Sequence, residues 1–162
     1  MKKLFTKMDL RWGYNNIRIK KGDEWKVVFT TPEGSFESTV MLTNSPATFQ
    51  AMMNELLRDL INTGKVAVFI NDVIVGTETE KGHDELVAEV IRRLEENDLY
   101  VKPEKCKWKV REVEFLGVVI GPDGIKMEEE KVKGILEWLT PKCVKEVQKF
   151  LGLANYYCQF IE

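Results

Sequence analysis

Apolar and polar residues alternate from Leu4 to Leu10. Leu4, Met8 and Leu10 fall on one side, and Phe5, Lys7 and Asp9 on the other. A period of two predicts a half-buried strand with Asp9 on its wetter face. "RWGYNN" reads as a turn or short helical bend. "EWKVVFTT" and "SFESTVML" read as strands joined by the turn residues Pro32-Glu33-Gly34. The period then changes. Ala47, Phe49, Met52, Met53, Leu56, Leu57, Leu60 and Ile61 recur at helical spacing. Ser45 suits the cap of that helix, Pro46 its first turn and Gly64 the position past its end. Its broad apolar face is of the kind that packs on a sheet.

In "KVAVFINDVIVGT" two runs rich in β-branched residues flank Asn71-Asp72, which predicts a tight hairpin with that pair at its tip. Residues 80–97 read as a second amphipathic helix, with Leu86, Val90, Ile91 and Leu94 inward and acids outward. Strand signals return at "LYVKP", "KWKV" and "VEFLGVVI", and Gly121-Pro122-Asp123-Gly124 reads as a further turn. "EEEKVKGILEWL", ended by Pro141, and "VKEVQKFLGLANYYCQFI" predict two closing helices. The order β, ββ, α, ββ, α and more β predicts an α+β fold. Its core is an antiparallel, ferredoxin-like sheet with helices packed on one face, followed by a small helical segment.

Composition adds exclusions. The chain has 162 residues, 44% of them hydrophobic, enough for a core in one domain or one piece of a larger enzyme. No apolar run approaches a membrane span or a signal peptide, which points to an intracellular chain, cytoplasmic or nuclear, without a membrane partner. Three cysteines without C-x-x-C spacing predict idle thiols. The net charge of −2 excludes a generic polyanion binder, but the charge is uneven. Residues 1–30 carry eight Lys/Arg against three Asp/Glu, and residues 76–98 carry three against eight. A nucleic acid along one basic face and an ordinary solvated surface fit this equally well. His83, on an acidic helix, reads as a surface residue. Trp12, Trp25, Trp108 and Trp138 read as packing residues rather than base-stacking platforms.

The candidate chemistry lies in two acids. Asp9 stands near the end of the first strand and Asp72 at the hairpin. In a ferredoxin-like sheet these elements can lie side by side, so the two carboxylates would converge. Converging carboxylates suit Mg²⁺, a hard cation that also takes substrate phosphates. Two such ions activate a hydroxyl and stabilise a leaving pyrophosphate.

The residues around the acids carry a more specific signal. "FTKMDLRWGYNNIRI" resembles motif A of the reverse transcriptases of gypsy-type long-terminal-repeat retrotransposons. "LTNSPATFQAMMNELLRDL" resembles their motif B, and "VFINDVIV" their motif C, which reads aromatic-x-Asp-Asp. "LYVKPEKCKW" and "VEFLGVVI" resemble the palm segments that follow, and "KEVQKFLGLANYYCQFI" the thumb-side segment. The resemblance covers nearly the whole chain, in the family's order. It implies an RNA-directed DNA polymerase palm over 1–121 and a thumb-side helical segment over 122–162. It also implies Mg²⁺ or Mn²⁺, an RNA or DNA primer–template and a deoxynucleoside triphosphate as cofactor and partners. Asp9 matches the metal-binding aspartate of motif A, and Tyr14 the side chain under the incoming sugar. Asn71 and Asp72 match the two motif C aspartates. Phe115, Leu116 and Gly117 match the primer grip, whose backbone positions the primer end. Oligomeric state is left open.

Three departures change the expectation. Asn71 replaces an aspartate that in the family is a direct metal ligand. Three residues of the family's "VMPFGLTN" are missing around Val40-Met41-Leu42-Thr43-Asn44, which should distort the nucleotide pocket. The chain begins almost at motif A, so fingers, ribonuclease H and integrase regions are expected to be absent from it. The expectation is a palm with strongly impaired catalysis. The alternative is a non-catalytic derivative that serves as a nucleic-acid-binding or structural scaffold. A generic RNA-recognition-type domain would need exposed aromatics on two adjacent central strands, and the sequence suggests no such pair.

Overall fold

In chain order the first part of the protein runs β1 (Leu4–Arg11), β2 (Val28–Thr31), β3 (Gly34–Glu37), α1 (Pro46–Leu56), α2 (Arg58–Asn62), β4 (Val66–Phe69), β5 (Asp72–Thr77), α3 (Glu80–Glu95), β6 (Tyr100–Val101) and β7 (Lys107–Val110). Short 3-10 turns sit at Gly13–Asn16, Glu24–Lys26 and Pro103–Lys105. The structure, a computed structural model, describes residues 2–11, 13–41 and 46–160, apart from the side chains of Tyr14 and Gln159. It divides into two units, 1–110 and 111–162.

β1 organises the first unit. One edge pairs antiparallel with β5, from Leu4↔Thr77 to Asp9↔Asp72, and β5 pairs in turn with β4. The other edge is shared by β6, at Leu10 and Arg11, and by β7, at Phe5 and Lys7. A strand paired on both edges is central, and this explains where the simple alternation fails. Met8 and Leu10 are buried and Lys7 and Asp9 half-buried, as the period of two predicts, but Phe5 and Thr6 are both buried. On one face Met8, Leu10, Val73 and Val75 form a single core with Phe49, Met53 and Leu57 from the first helical segment and Val90 and Leu94 from α3. The fold is therefore α+β, an antiparallel sheet with helices on one face.

Several elements differ in detail from the pattern. The helix expected through Ile61 breaks at Leu57, whose φ and ψ are −111° and 15°. Hydrogen bonds from the Leu57 N–H to Met53 O and from the Ile61 N–H to Leu57 O span the break, so the apolar face continues. Arg93 of α3 fastens α2 in place with hydrogen bonds to both Asp59 oxygens. That guanidinium holds the Asp59 carboxyl down to about 2. The cap expected from Ser45 lies outside the described residues. β2 begins at Val28 because Glu24–Lys26 forms a turn, which leaves Trp25 63% exposed with the Lys26 ammonium 5.5 Å from its ring centroid. Trp108 and Trp138 are also exposed, though Trp138 packs against Phe150 with ring centroids 5.8 Å apart; Trp12 lies outside the described residues. Phe29 and Phe36 face each other across β2–β3, stacked at 5.9 Å and exposed, a pair the sequence does not reveal. They stand on a separate two-stranded hairpin, not on adjacent central strands as an RNA-recognition domain requires.

The second unit contains β8 (Val113–Phe115), β9 (Val118–Gly121), β10 (Gly124–Met127), α4 (Glu129–Leu136) and α5 (Val144–Tyr156). β8, β9 and β10 form an antiparallel meander with turns at Leu116-Gly117 and Pro122-Asp123. β10 is too short for its period to be read from sequence. Contacts divide the chain ahead of β8, whereas the motif pattern places the boundary after Gly121. Among the described residues no helix is long and apolar enough to cross a membrane. The three cysteines are free.

His83 corrects a sequence expectation: it is fully buried, not on the surface. Its Nε2 lies 2.7 Å from Thr6 Oγ1 and its Nδ1 2.8 Å from Thr77 Oγ1. The Thr77 hydroxyl donates to Thr79 O, so it accepts from Nδ1–H, and the Thr6 hydroxyl donates to Nε2. Thr6 Oγ1 also accepts the N–H of Lys109, at the irregularity where β7 joins β1. A lone polar ring on a helix is thus the buried tie between α3, β1 and β5.

Burial lowers the His83 pKa from its ordinary 6.5; Asp84 opposes this and Lys109 adds to it. The unfolded chain then binds more protons just below pH 6.5, so stability is present above that value and falls as pH drops through the window beneath it. His83 is the only histidine. Urea unfolding between pH 7 and 5 should show a midpoint that falls with pH. His83→Gln should flatten that slope, and an unchanged slope would show that the ring is not held neutral.

Candidate active site

Strand alternation and register build the site. Asp9 and Asp72 are direct partners in the β1–β5 ladder, so their side chains leave the same face of the sheet. It is the face opposite Met8, Leu10 and Val73, the residues that meet the helices. The β1–β5 pairing brings together two acids that lie 63 positions apart in the chain (72 − 9). Each carboxylate has a lysine beside it. Lys7 Nζ lies 3.6 Å from Asp72 Oδ1, and Lys102 Nζ lies 3.5 Å from Asp9 Oδ1. All four side chains are between 22% and 28% exposed. Lys102 is also anchored through its backbone, whose N–H donates to Asp9 O at 2.8 Å.

The turn differs from the sequence expectation. Its two central residues are Ile70 and Asn71, since Phe69 pairs with Asp72, and Asp72 is the first residue of β5 rather than part of the tip. The positive φ falls on Ile70, at 52°, and not on Asn71. A β-branched residue in that region is strained. Gln50 of α1 supports it: its Oε1 accepts the Ile70 N–H at 2.6 Å and its Nε2 donates to Val68 O at 3.1 Å. Sequence spacing alone misses Gln50, because it acts on the hairpin from a helix 20 residues away.

Asn71 does not join the two acids. Its backbone oxygen accepts the Leu10 N–H at 2.9 Å, which aligns it with a residue of the helix-covered face. Its Oδ1 is buried, with no hydrogen-bond partner among the described residues. A methyl group placed on Gly13 would lie 3.0 Å from that oxygen and 2.6 Å from Phe49 Cζ. The amide is therefore turned towards the core, under the 3-10 turn. An uncharged amide tolerates this position better than a carboxylate, whose burial unpaired would cost far more. Among the described residues, no three of His, Cys, Asp and Glu gather as a metal-binding group. The available donors are two ion-paired carboxylates.

Tyr14 lies in the turn Gly13–Asn16, immediately after β1; its side chain is outside the description. Of residues 40–44, Val40 and Met41 are described. Val40 bridges to Arg18, and the Met41 N–H donates to Ile17 O. Leu42, Thr43 and Asn44 lie outside the described residues.

In the second unit Phe115 is buried, and Leu116 and Gly117 form the β8–β9 turn with φ of 52° and 75°. The Tyr157 hydroxyl donates to Gly117 O at 3.0 Å, and the Tyr156 hydroxyl donates to Leu116 O. The two rings meet edge to face at 4.8 Å. Burial, Glu128 and Tyr156 raise the Tyr157 phenol above its ordinary value, which keeps it a donor. Two tyrosines at the end of α5 thus fix the backbone of the turn. The sequence "NYYCQF" gives no sign of this partner.

Known proteins resemble the chain in sequence and in fold. The profile of the family described as "Reverse transcriptase (RNA-dependent DNA polymerase)" matches residues 1–120. The "Transposon Tf2-3 polyprotein" of Schizosaccharomyces pombe is 34% identical over 161 residues, 98% of this chain, and this chain spans 12% of that polyprotein. The structure of the foamy viral protease-reverse transcriptase in complex with RNA/DNA hybrid superposes with a TM-score of 0.84 at 29% identity. That match covers 96% of this chain and 21% of the viral one. The same viral protein in complex with double-stranded DNA gives 0.84 at 30% identity, covering 96% and 27%.

Both glycines of these turns admit a direct test. Gly13→Ala forces a methyl group against the buried Phe49 ring and should cost about 1–3 kcal/mol. Gly117→Ala meets Tyr157 Oη at 2.7 Å and keeps a positive φ, which should cost about 1–2 kcal/mol from the backbone alone. Denaturant midpoints read both, and wild-type midpoints in the variants would refute the close packing.

Proposed function

The chain belongs to the reverse transcriptase (RNA-dependent DNA polymerase) family, and on that premise we propose that it is the palm region of a gypsy-type retroelement polymerase with strongly impaired catalysis. Its substrates would be an RNA or DNA primer–template and a deoxynucleoside triphosphate. Asp9 and Asp72 would be the acids of the polymerase centre, Tyr14 the residue under the incoming sugar, and Phe115, Leu116 and Gly117 the primer grip.

The observation that carries the reading is the Asp9↔Asp72 pairing, with Asn71 turned to the other side of the sheet. In the family, Mg²⁺ or Mn²⁺ activates the primer hydroxyl and stabilises the departing pyrophosphate. The donors here do not fit a two-ion centre. Two carboxylates remain, each beside a lysine, and the third donor is a buried amide. One missing unit charge at about 4 Å, at an effective dielectric near 20, corresponds to roughly 4 kcal/mol. On a barrier this is roughly a thousandfold in rate.

The orphaned Asn71 oxygen also favours a second reading, a non-catalytic derivative that keeps the palm fold as a nucleic-acid-binding or structural scaffold. In it the basic residues 1–30 would follow a phosphate backbone.

Primer extension on an RNA template with Mg²⁺ or Mn²⁺ separates the two from an active enzyme. The expected result is no processive synthesis, and robust extension would overturn the impairment. Titration of a labelled primer–template duplex at increasing salt tests the scaffold. Affinity should fall linearly in log–log form, and absence of binding at low salt would remove the nucleic-acid version.

A further inference from the structure

The lysines beside the two acids are placed by the fold. Lys7 precedes Asp9 by two positions on β1, so it emerges on the same face. Because Lys7 pairs with Ile74, it stands diagonal to Asp72 across the ladder, within reach of a long side chain. Lys102 arrives by another route. Its N–H is fixed to Asp9 O, and its own carbonyl accepts the Lys105 N–H at 3.0 Å and the Cys106 thiol at 3.1 Å. The backbone is thereby held with the ammonium beside Asp9. Formally, two carboxylates and two ammonium groups sum to zero, and Asn71 adds no charge. Both ion pairs are half-buried, where solvent screens them less than on an open surface.

We propose that Lys7 and Lys102 are built-in counter-cations of the Asp9–Asp72 pair, which keep divalent ions out of the site. This rests on the reading of Asp9 and Asp72 as the polymerase acids. A divalent ion can take both carboxylates only by displacing two ammonium groups. With a third carboxylate the exchange would leave surplus negative charge to hold the ion; with Asn71 none remains. The lysines also remove the need for a metal to hold two neighbouring carboxylates together, so the sheet end stays paired without one.

Mn²⁺ binding, followed by loss of the free-ion paramagnetic resonance signal, tests this without reference to activity. Wild-type protein should leave the signal intact at submillimolar Mn²⁺. The Lys7→Met/Lys102→Met variant should bind one ion at least tenfold more tightly, and adding Asp9→Asn should abolish the gain. A double-mutant cycle on Lys102 and Asp9, read by urea unfolding, should show coupling between them. No coupling would overturn the counter-cation role. Equal Mn²⁺ binding by wild type and the lysine variant would overturn the exclusion and leave the site reading intact. Coupling with no Mn²⁺ binding by either protein would overturn the exclusion together with the metal-site reading beneath it.

Discussion

The antiparallel pairing of β1 with β5 is the constraint on which the rest depends. Its register places Met8 against Val73 on one face and Asp9 against Asp72 at its end. One ladder thus aligns the apolar residues that receive the helices and the polar residues that make the candidate site. A slip of one residue would exchange the faces, exposing the core and burying both acids. The hydrophobic core therefore holds the chemistry in place, because the same register serves both.

The ladder also explains the cost at its turn. To close β4 onto β5 with two residues, the chain puts Ile70 at a positive φ. That strain persists because Gln50 ties the turn to α1 and because the strands on either side are paired along their length. Asn71 fits the same frame. Its amide oxygen stands close to Gly13, which also abuts the Phe49 ring, and there an amide is less costly than a carboxylate. An uncharged side chain and quiet packing beneath the turn are then two consequences of one residue, and Lys7 and Lys102 stand beside the two acids.

At the other end of the ladder, Thr6 and Thr77 hold the ring of His83. The polar tie and the charged pair lie on the same two strands. The first is buried and neutral, and the second is partly open to solvent. Stability and candidate function are separated along one element by their access to water.

Much of this was legible in the chain. The period of two in β1, the helical periods of α1 and α3 and the turn residues at 122–123 predicted their elements, since local alternation follows from side-chain geometry. Asp9, Asp72 and the motifs around them marked the candidate site. What the sequence could not supply were facts of contact between distant segments. His83 looks exposed on an acidic helix, yet two threonine hydroxyls make its burial tolerable. Trp25 reads as a packing residue, yet a turn leaves it exposed. Asn71 and Asp72 look like one polar tip, yet pairing with β1 sends them to opposite faces. Lys7 and Lys102, 95 positions apart (102 − 7), gave no sign of sharing a site. Periodicity fixes which residues prefer water; only the tertiary pairing decides which of them meet.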